Sequence, residues 1–272
     1  MSFGAKLLDA SADHGRLCVG IDPHEKLLQA WGLPTNAEGV AEFAARCVEA
    51  FAGQVALVKP QAAFFERYGS AGYAALEKTL ADLREAGTLT VADAKRGDIG
   101  STMVGYAQAW LSDDSPLRAD SVTLSPYLGV ESLDPAVELA QRTGKGVFLL
   151  SSTSNPEARG LQSSRLSDGR RISQSVVDYC AARNAGQVNG SVGVVVGATV
   201  AKPPRLSDLH GPVLMPGVGA QGATAADVDR IAGKGSLAMP NVSRSVLAAG
   251  PDVADLRKAA LDQAKQFPLR VA

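Results

Sequence analysis

Residues 89–113 read LTVADAKRGDIGSTMVGYAQAWLSD, a β-rich apolar run that ends in charged residues, passes through glycine and continues as a helical pattern. In a strand over 89–95, Asp93 and Lys95 are two apart, so both side chains point to one face. The same strand-then-helix unit recurs along the chain. Strands are predicted at 17–21, 55–59, 89–95, 121–126, 146–151, 191–197, 213–216 and 236–239, each a short run rich in apolar residues. Helices are predicted at 39–52, 70–86, 100–113, 129–142, 167–184, 224–232 and 252–266, with a short one at 203–210 and a leading one near 4–12 that would close a barrel floor. Eight such units without a composition break favour an α/β fold of the closed TIM (β/α)8 barrel type, in one domain over 1–272, although an open doubly wound sheet gives the same local signal.

Composition narrows the function. Of the 272 residues, 46% are hydrophobic, enough for one large core, and Lys+Arg 27 against Asp+Glu 28 leaves a formal charge of -1. A nucleic-acid partner is therefore not expected, and an anionic ligand must be held by a few placed groups. Cys18, Cys47 and Cys180 form no close-spaced pair, and His14, His24 and His210 have no ligand-like spacing, so neither a disulfide framework nor a metal site is expected. The N-terminal residues lack the apolar core of a signal peptide, and no stretch approaches the roughly 20 apolar residues of a membrane span. A cytoplasmic protein is expected.

Charged residues gather at the predicted strand ends. Strand one ends in Gly20-Ile21-Asp22-Pro23, strand two in Val58-Lys59-Pro60, and strand three runs into Asp93-Ala94-Lys95-Arg96-Gly97-Asp98. Such a motif alone also describes a solvated charge cluster; its place after a β-rich run argues instead for a barrel mouth, where a lysine flanked by carboxylates is a ready proton donor. After strand seven comes Pro216-Gly217-Val218-Gly219-Ala220-Gln221-Gly222, and after strand eight comes Asn241-Val242-Ser243-Arg244. Barrels often hold phosphate with these two loops, and Arg244 would add a bidentate pair. The irregular segment 152–166 is a candidate lid.

From Leu17 to about Gly250 the chain resembles the orotidine 5'-phosphate decarboxylases, in particular their longer bacterial subfamily. The resemblance rests on Asp93-Ala94-Lys95-Arg96-Gly97-Asp98-Ile99-Gly100-Ser101-Thr102, supported in order by Ile21-Asp22-Pro23-His24, Val58-Lys59-Pro60-Gln61, Thr153-Ser154-Asn155-Pro156 and Pro216 to Gly222. It implies a cofactor-independent lyase of pyrimidine (UMP) biosynthesis, needing no metal, that takes orotidine 5'-phosphate to uridine 5'-phosphate and carbon dioxide. Lys59, Asp93, Lys95 and Asp98 would form an alternating charge network in which Lys95 protonates C6. Asp98 and Thr102 would reach into the partner's site of a homodimer. Asp22 and Lys59 would hold ribose hydroxyls, Ser154 the pyrimidine, Gln221 and Arg244 the phosphate, and Pro216 would line the base pocket.

Two rivals have distinct signatures. Metal-dependent sugar-phosphate decarboxylases and aldolases share Asp-x-Lys-x-x-Asp, but carry a metal-binding carboxylate where this chain has Lys59. A catalytically silent phosphate-binding barrel would need Gln221 and Arg244 without the network.

Overall fold

The computed structural model of the chain describes residues 1–219, 221–233 and 236–269. Strands β1 (Cys18–Ile21), β2 (Leu57–Pro60), β3 (Leu89–Arg96), β4 (Ser121–Leu124), β5 (Gly146–Ser152), β6 (Val192–Val196), β7 (Val213–Pro216) and β8 (Ala238–Val242) pair in parallel and in chain order. β8 returns to β1 through Cys18↔Asn241 and Val19↔Val242. The sheet is thus a closed TIM (β/α)8 barrel, and the open-sheet alternative falls away.

The two-residue period of the strands divides the apolar residues into two sets. Cys18, Leu57, Val91, Phe148, Val195, Leu214 and Met239 make one buried cluster with Phe3 and Leu7, while Val19, Val58, Ala92, Val122, Val147, Val194 and Met215 join the apolar faces of the surrounding helices. Phe3 and Leu7 belong to the N-terminal helix Phe3–His14, and the Phe3 ring meets Phe148 edge-on at 5.9 Å. That helix closes the barrel floor, as expected, and leaves the opposite, carboxyl end of the strands for chemistry.

The expected helix at 39–52 is Ala37–Phe51, opened by Asn36, whose side chain accepts from Gly39 N. It buries Val40, Phe43, Ala44, Cys47 and Phe51, with Phe43 stacked on Trp31 at 4.0 Å. All three cysteines are free and buried. No helix among the described residues is long and apolar enough to cross a membrane.

Proline accounts for several differences from the predicted elements. The last strand lies at Ala238–Val242 rather than 236–239, so Asn241 and Val242 are inside the strand and not in the loop after it. Pro240 has no N–H to give, yet it sits in parallel register with Met215, and Asn241 Nδ2 donates to Cys18 O at 3.2 Å across the closing seam. β2 likewise carries on through Pro60. The short helix expected at 203–210 is absent; residues there are irregular apart from one turn at 207–208, and the Arg171 guanidinium donates to Lys202 O and Pro203 O. Pro204 disfavours the helical region for Pro203 before it, which opposes a helix starting at 203. The candidate lid is less irregular than expected: it holds a 3-10 turn, Pro156–Ala158, and one helical turn, Arg159–Gln162. The helix expected at 167–184 starts only at Ile172 and runs to Arg183. Ala220, within the glycine-rich stretch, lies outside the described residues.

Candidate active site

Three strands bring their charges together at the barrel mouth. In register, Gly20 on β1 faces Lys59 on β2. A Cβ at Gly20 would come within 1.9 Å of Ser243 Oγ, so only glycine lets that loop approach the strand. Lys59 is 4% exposed. Its ammonium donates to Asp93 Oδ2 at 3.1 Å and to Gln61 Oε1 at 3.0 Å, and lies 3.7 Å from Asp22 Oδ1. On β3, Lys95 Nζ donates to the other Asp93 oxygen, Oδ1, at 2.6 Å. Thr123 on β4 completes the group, donating its hydroxyl to Asp93 Oδ1 at 2.8 Å. The result is a buried carboxylate between two ammonium groups, one interior and one at the mouth, where the Lys95 side chain is 46% exposed.

Burial opposes ionisation of Asp93, but Lys59 first and then Lys95 overcome it and hold the carboxyl well below its usual range. Burial also disfavours charge on Lys59, and here Asp93 and then Asp22 outweigh it and raise the ammonium above the usual lysine range. Both groups are therefore fixed in their charged forms across the ordinary pH range.

Lys95 sits at φ 47, the left-handed region that a non-glycine residue avoids at a cost of about 1–3 kcal/mol. The β3–β4 ladder shifts register between Ala92 and Arg96, and this irregularity re-aims the Lys95 side chain. Asp22 Oδ1 is buried and has no hydrogen-bond partner among the described residues. It is an acceptor that a ligand hydroxyl can satisfy.

Asp98 and Thr102 stand apart from the other charges. The Asp98 carboxylate accepts only from Ile99 N, at 2.8 Å, and makes no ion pair among the described residues. Thr102 is exposed on the first turn of helix Gly100–Leu111, with Ile99 and Val104 exposed beside it. On the other side of the mouth, Ser154 Oγ donates to Gln221 Oε1 at 3.0 Å, tying the loop after β5 to the loop after β7. Gly217, at φ 101, supplies the turn that starts the second of these loops after Pro216. Arg244 begins the short helix Arg244–Leu247, is exposed, and has no partner among the described residues.

Sequence reasoning gave no role to Gln61 or Thr123, both of which touch the network. Gln61 carried a usable signal, since it lies two residues beyond Lys59, and its Nε2 reaches Asp93 O at 3.3 Å. A cavity of about 760 Å³ bounded by Tyr127, Leu150, Leu161 and Tyr179 contains none of the predicted site residues; the charge geometry, not that cavity, marks the site. Among the described residues, no group of three or more His, Cys, Asp or Glu is arranged to hold a metal ion.

The model of the orotidine 5'-phosphate decarboxylase / HUMPS family matches residues 15–259. The chain belongs to that family. An orotidine 5'-phosphate decarboxylase of Corynebacterium glutamicum is 62% identical over 98% of this chain and 98% of that protein. Likeness at that level makes the chain a carboxy-lyase. The fold agrees: an orotidine 5'-phosphate decarboxylase structure from Streptomyces avermitilis superposes with a TM-score of 0.94 at 52% identity, covering 97% of this chain and 94% of that one. One from Leishmania donovani gives 0.76 at 34% identity over 97% and 98%. The metal-dependent rival is expected to carry a carboxylate at the strand-two position; here that position is Lys59, its ammonium buried beside Asp93.

Lys59→Met tests that buried pair. Removing one partner of a buried ion pair costs about 3–5 kcal/mol, and the low end applies because Lys95 and Thr123 still hold Asp93. Asp93, with its folded value depressed, contributes stability above about pH 4 that is lost as the pH falls through that folded value; Lys59, with its value raised, contributes below about pH 10 and loses it as the pH rises beyond. Urea unfolding of wild type and variant should therefore differ by a constant amount between about pH 5 and pH 9 and converge at both extremes. A constant difference at every pH would disprove the electrostatic origin.

Proposed function

We propose that this chain converts orotidine 5'-phosphate to uridine 5'-phosphate and carbon dioxide without a metal, as a cytoplasmic homodimer of one-domain subunits in pyrimidine nucleotide synthesis. The observation that carries this reading is the fixed alternation Lys59–Asp93–Lys95 at the carboxyl ends of β2 and β3, with the unsatisfied Asp22 Oδ1 beside it. Asp22 and Lys59 accept and donate to ribose hydroxyls. Ser154 meets the pyrimidine and Pro216 lines its pocket, while Gln221 and the exposed Arg244 take the phosphate. Asp98 and Thr102 complete the network from the partner subunit, which fits the exposure of Thr102 and the lack of an ion pair at the half-buried Asp98 among the described residues.

Breaking the C6–carboxylate bond expels carbon dioxide and leaves the electron pair on C6, in the plane of the ring, where no neighbouring π system accepts it. The Lys95 ammonium faces that developing charge and then transfers a proton to C6. Asp93 holds Lys95 in place and sets negative charge near the departing carboxylate. Phosphate binding far from C6 supplies energy that fixes the Ser154 and Gln221 loops, already hydrogen-bonded to each other, over the charge network.

The test is the fall in ultraviolet absorbance of orotidine 5'-phosphate with purified protein in excess chelator. Turnover should be unaffected by chelator. Orotidine, which lacks the phosphate, should lose at least about 1,000-fold in kcat/KM with a fall in kcat itself, because the remote group contributes to the transition state. No turnover by folded protein rejects the reading and directs the assay to sugar phosphates with magnesium, whereas turnover of orotidine 5'-phosphate that requires added magnesium overturns the metal-free mechanism alone.

A further inference from the structure

We infer that Thr123 is a positioning residue for the decarboxylation, setting the geometry of Asp93 and Lys95 with a single hydroxyl; this rests on the reaction proposed above. Thr123 lies on β4, is 1% exposed, and touches neither solvent nor the open mouth. Its Oγ1 donates to Asp93 Oδ1 at 2.8 Å and accepts from the backbone N–H of Lys95 at 2.9 Å. A hydroxyl has one proton to give and lone pairs to receive, so the two bonds do not compete.

The backbone explains why such a group is needed. β3 and β4 pair regularly at Val91↔Ser121 and Ala92↔Val122, then shift register before Arg96↔Leu124. Asp93 and Lys95 fall within the shifted stretch, and the Lys95 N–H is met by the Thr123 side chain instead of a β4 carbonyl. Lys95 is also at φ 47, a conformation that persists only where the surroundings impose it. Thr123 imposes it from the neighbouring strand. The same oxygen orients the Asp93 carboxylate so that Oδ1 is presented to Lys95 Nζ at 2.6 Å while Oδ2 stays with Lys59. An Asp93 held only by its two lysines would keep its charge but could turn about its own side-chain bonds, moving the Lys95 ammonium with it.

The experiment compares Thr123→Val, which keeps shape and removes both hydrogen bonds, with Thr123→Ser, which restores them. In Thr123→Val, kcat for orotidine 5'-phosphate should fall about 10- to 100-fold, as expected when a catalytic group is misplaced by about 1 Å. KM and the affinity for uridine 5'-phosphate should change by less than about 3-fold, since the ribose and phosphate ligands are untouched. Exchange of the C6 hydrogen of uridine 5'-phosphate in deuterium oxide, followed by proton NMR, should slow in parallel, because it needs the same alignment of Lys95 with C6. Thr123→Ser should come within about 3-fold of wild type in all three readouts. Assays well below each variant's melting temperature separate positioning from loss of folded protein, and Thr123→Ala takes the place of Thr123→Val under the same criteria should the latter not fold. Wild-type kcat in Thr123→Val, or equal losses in the valine and serine variants, would overturn the inference while leaving the reaction standing. A wild-type protein without turnover would instead overturn the reaction itself.

Discussion

Lys95→Ala should lower kcat for orotidine 5'-phosphate by about 10,000-fold or more, the largest single-residue effect in this protein. General acid catalysis contributes about 100- to 10,000-fold, and a charge aimed at a developing anion about 100- to 1,000-fold. Lys95 is asked to supply both. At about 1.4 kcal/mol per factor of ten, the expected loss is at least about 5.5 kcal/mol of transition-state stabilisation. Ground-state binding should respond differently. Asp22, Lys59, Gln221 and Arg244 are all retained, so the affinity for uridine 5'-phosphate should stay within about 10-fold of wild type. Stability should hardly change, because the Lys95 side chain is nearly half exposed and its pairing with Asp93 is screened on that side. Single-turnover absorbance measurements, a binding isotherm and a urea titration resolve the three quantities. A variant that keeps more than about 1% of wild-type kcat would remove Lys95 from the role of proton donor.

That contrast between Lys59 and Lys95 was only half legible in the sequence. Two-residue spacing placed Asp93 and Lys95 on one face, and the strand ends placed Lys59 and Asp22 at the same level of the barrel; the structure has all four there. Burial was not legible. Nothing local to the run ending Val58-Lys59-Pro60 says that its ammonium is enclosed, because the enclosure comes from β1, β3 and Gln61. Thr123 escaped for a related reason. A threonine in an apolar strand reads as an ordinary β-former, and its use depends on the register shift of the adjacent strand, a property of the pair. The alternation of strands and helices could not by itself separate a barrel from an open sheet, since closure is the pairing of the first strand with the last. That last strand was also placed too early, because Pro240 resembles a terminator until the ladder around it is seen.

Asp98 offers the second large effect and a test of assembly. Among the described residues of its own chain it makes no ion pair, and Ile99, Val104, Tyr127 and Leu128 around this side of the mouth are exposed apolar side chains. A second copy related by a two-fold axis would cover them and carry Asp98 and Thr102 into the partner's site, in exchange for the partner's own pair. Lys95→Ala and Asp98→Asn should each be nearly inactive as homodimers. Mixed and allowed to exchange subunits, they should recover activity. In a heterodimer, one site combines an intact Lys95 with an intact Asp98, and the other site carries both defects. Random exchange makes half of the dimers mixed, each with one working site of two, so recovery should approach about one quarter of wild-type activity per site. Recovery should follow the kinetics of subunit exchange and vanish when the subunits are crosslinked before mixing. If Asp98 served its own chain, every site in every mixture would retain a defect, and no mixing ratio would restore turnover.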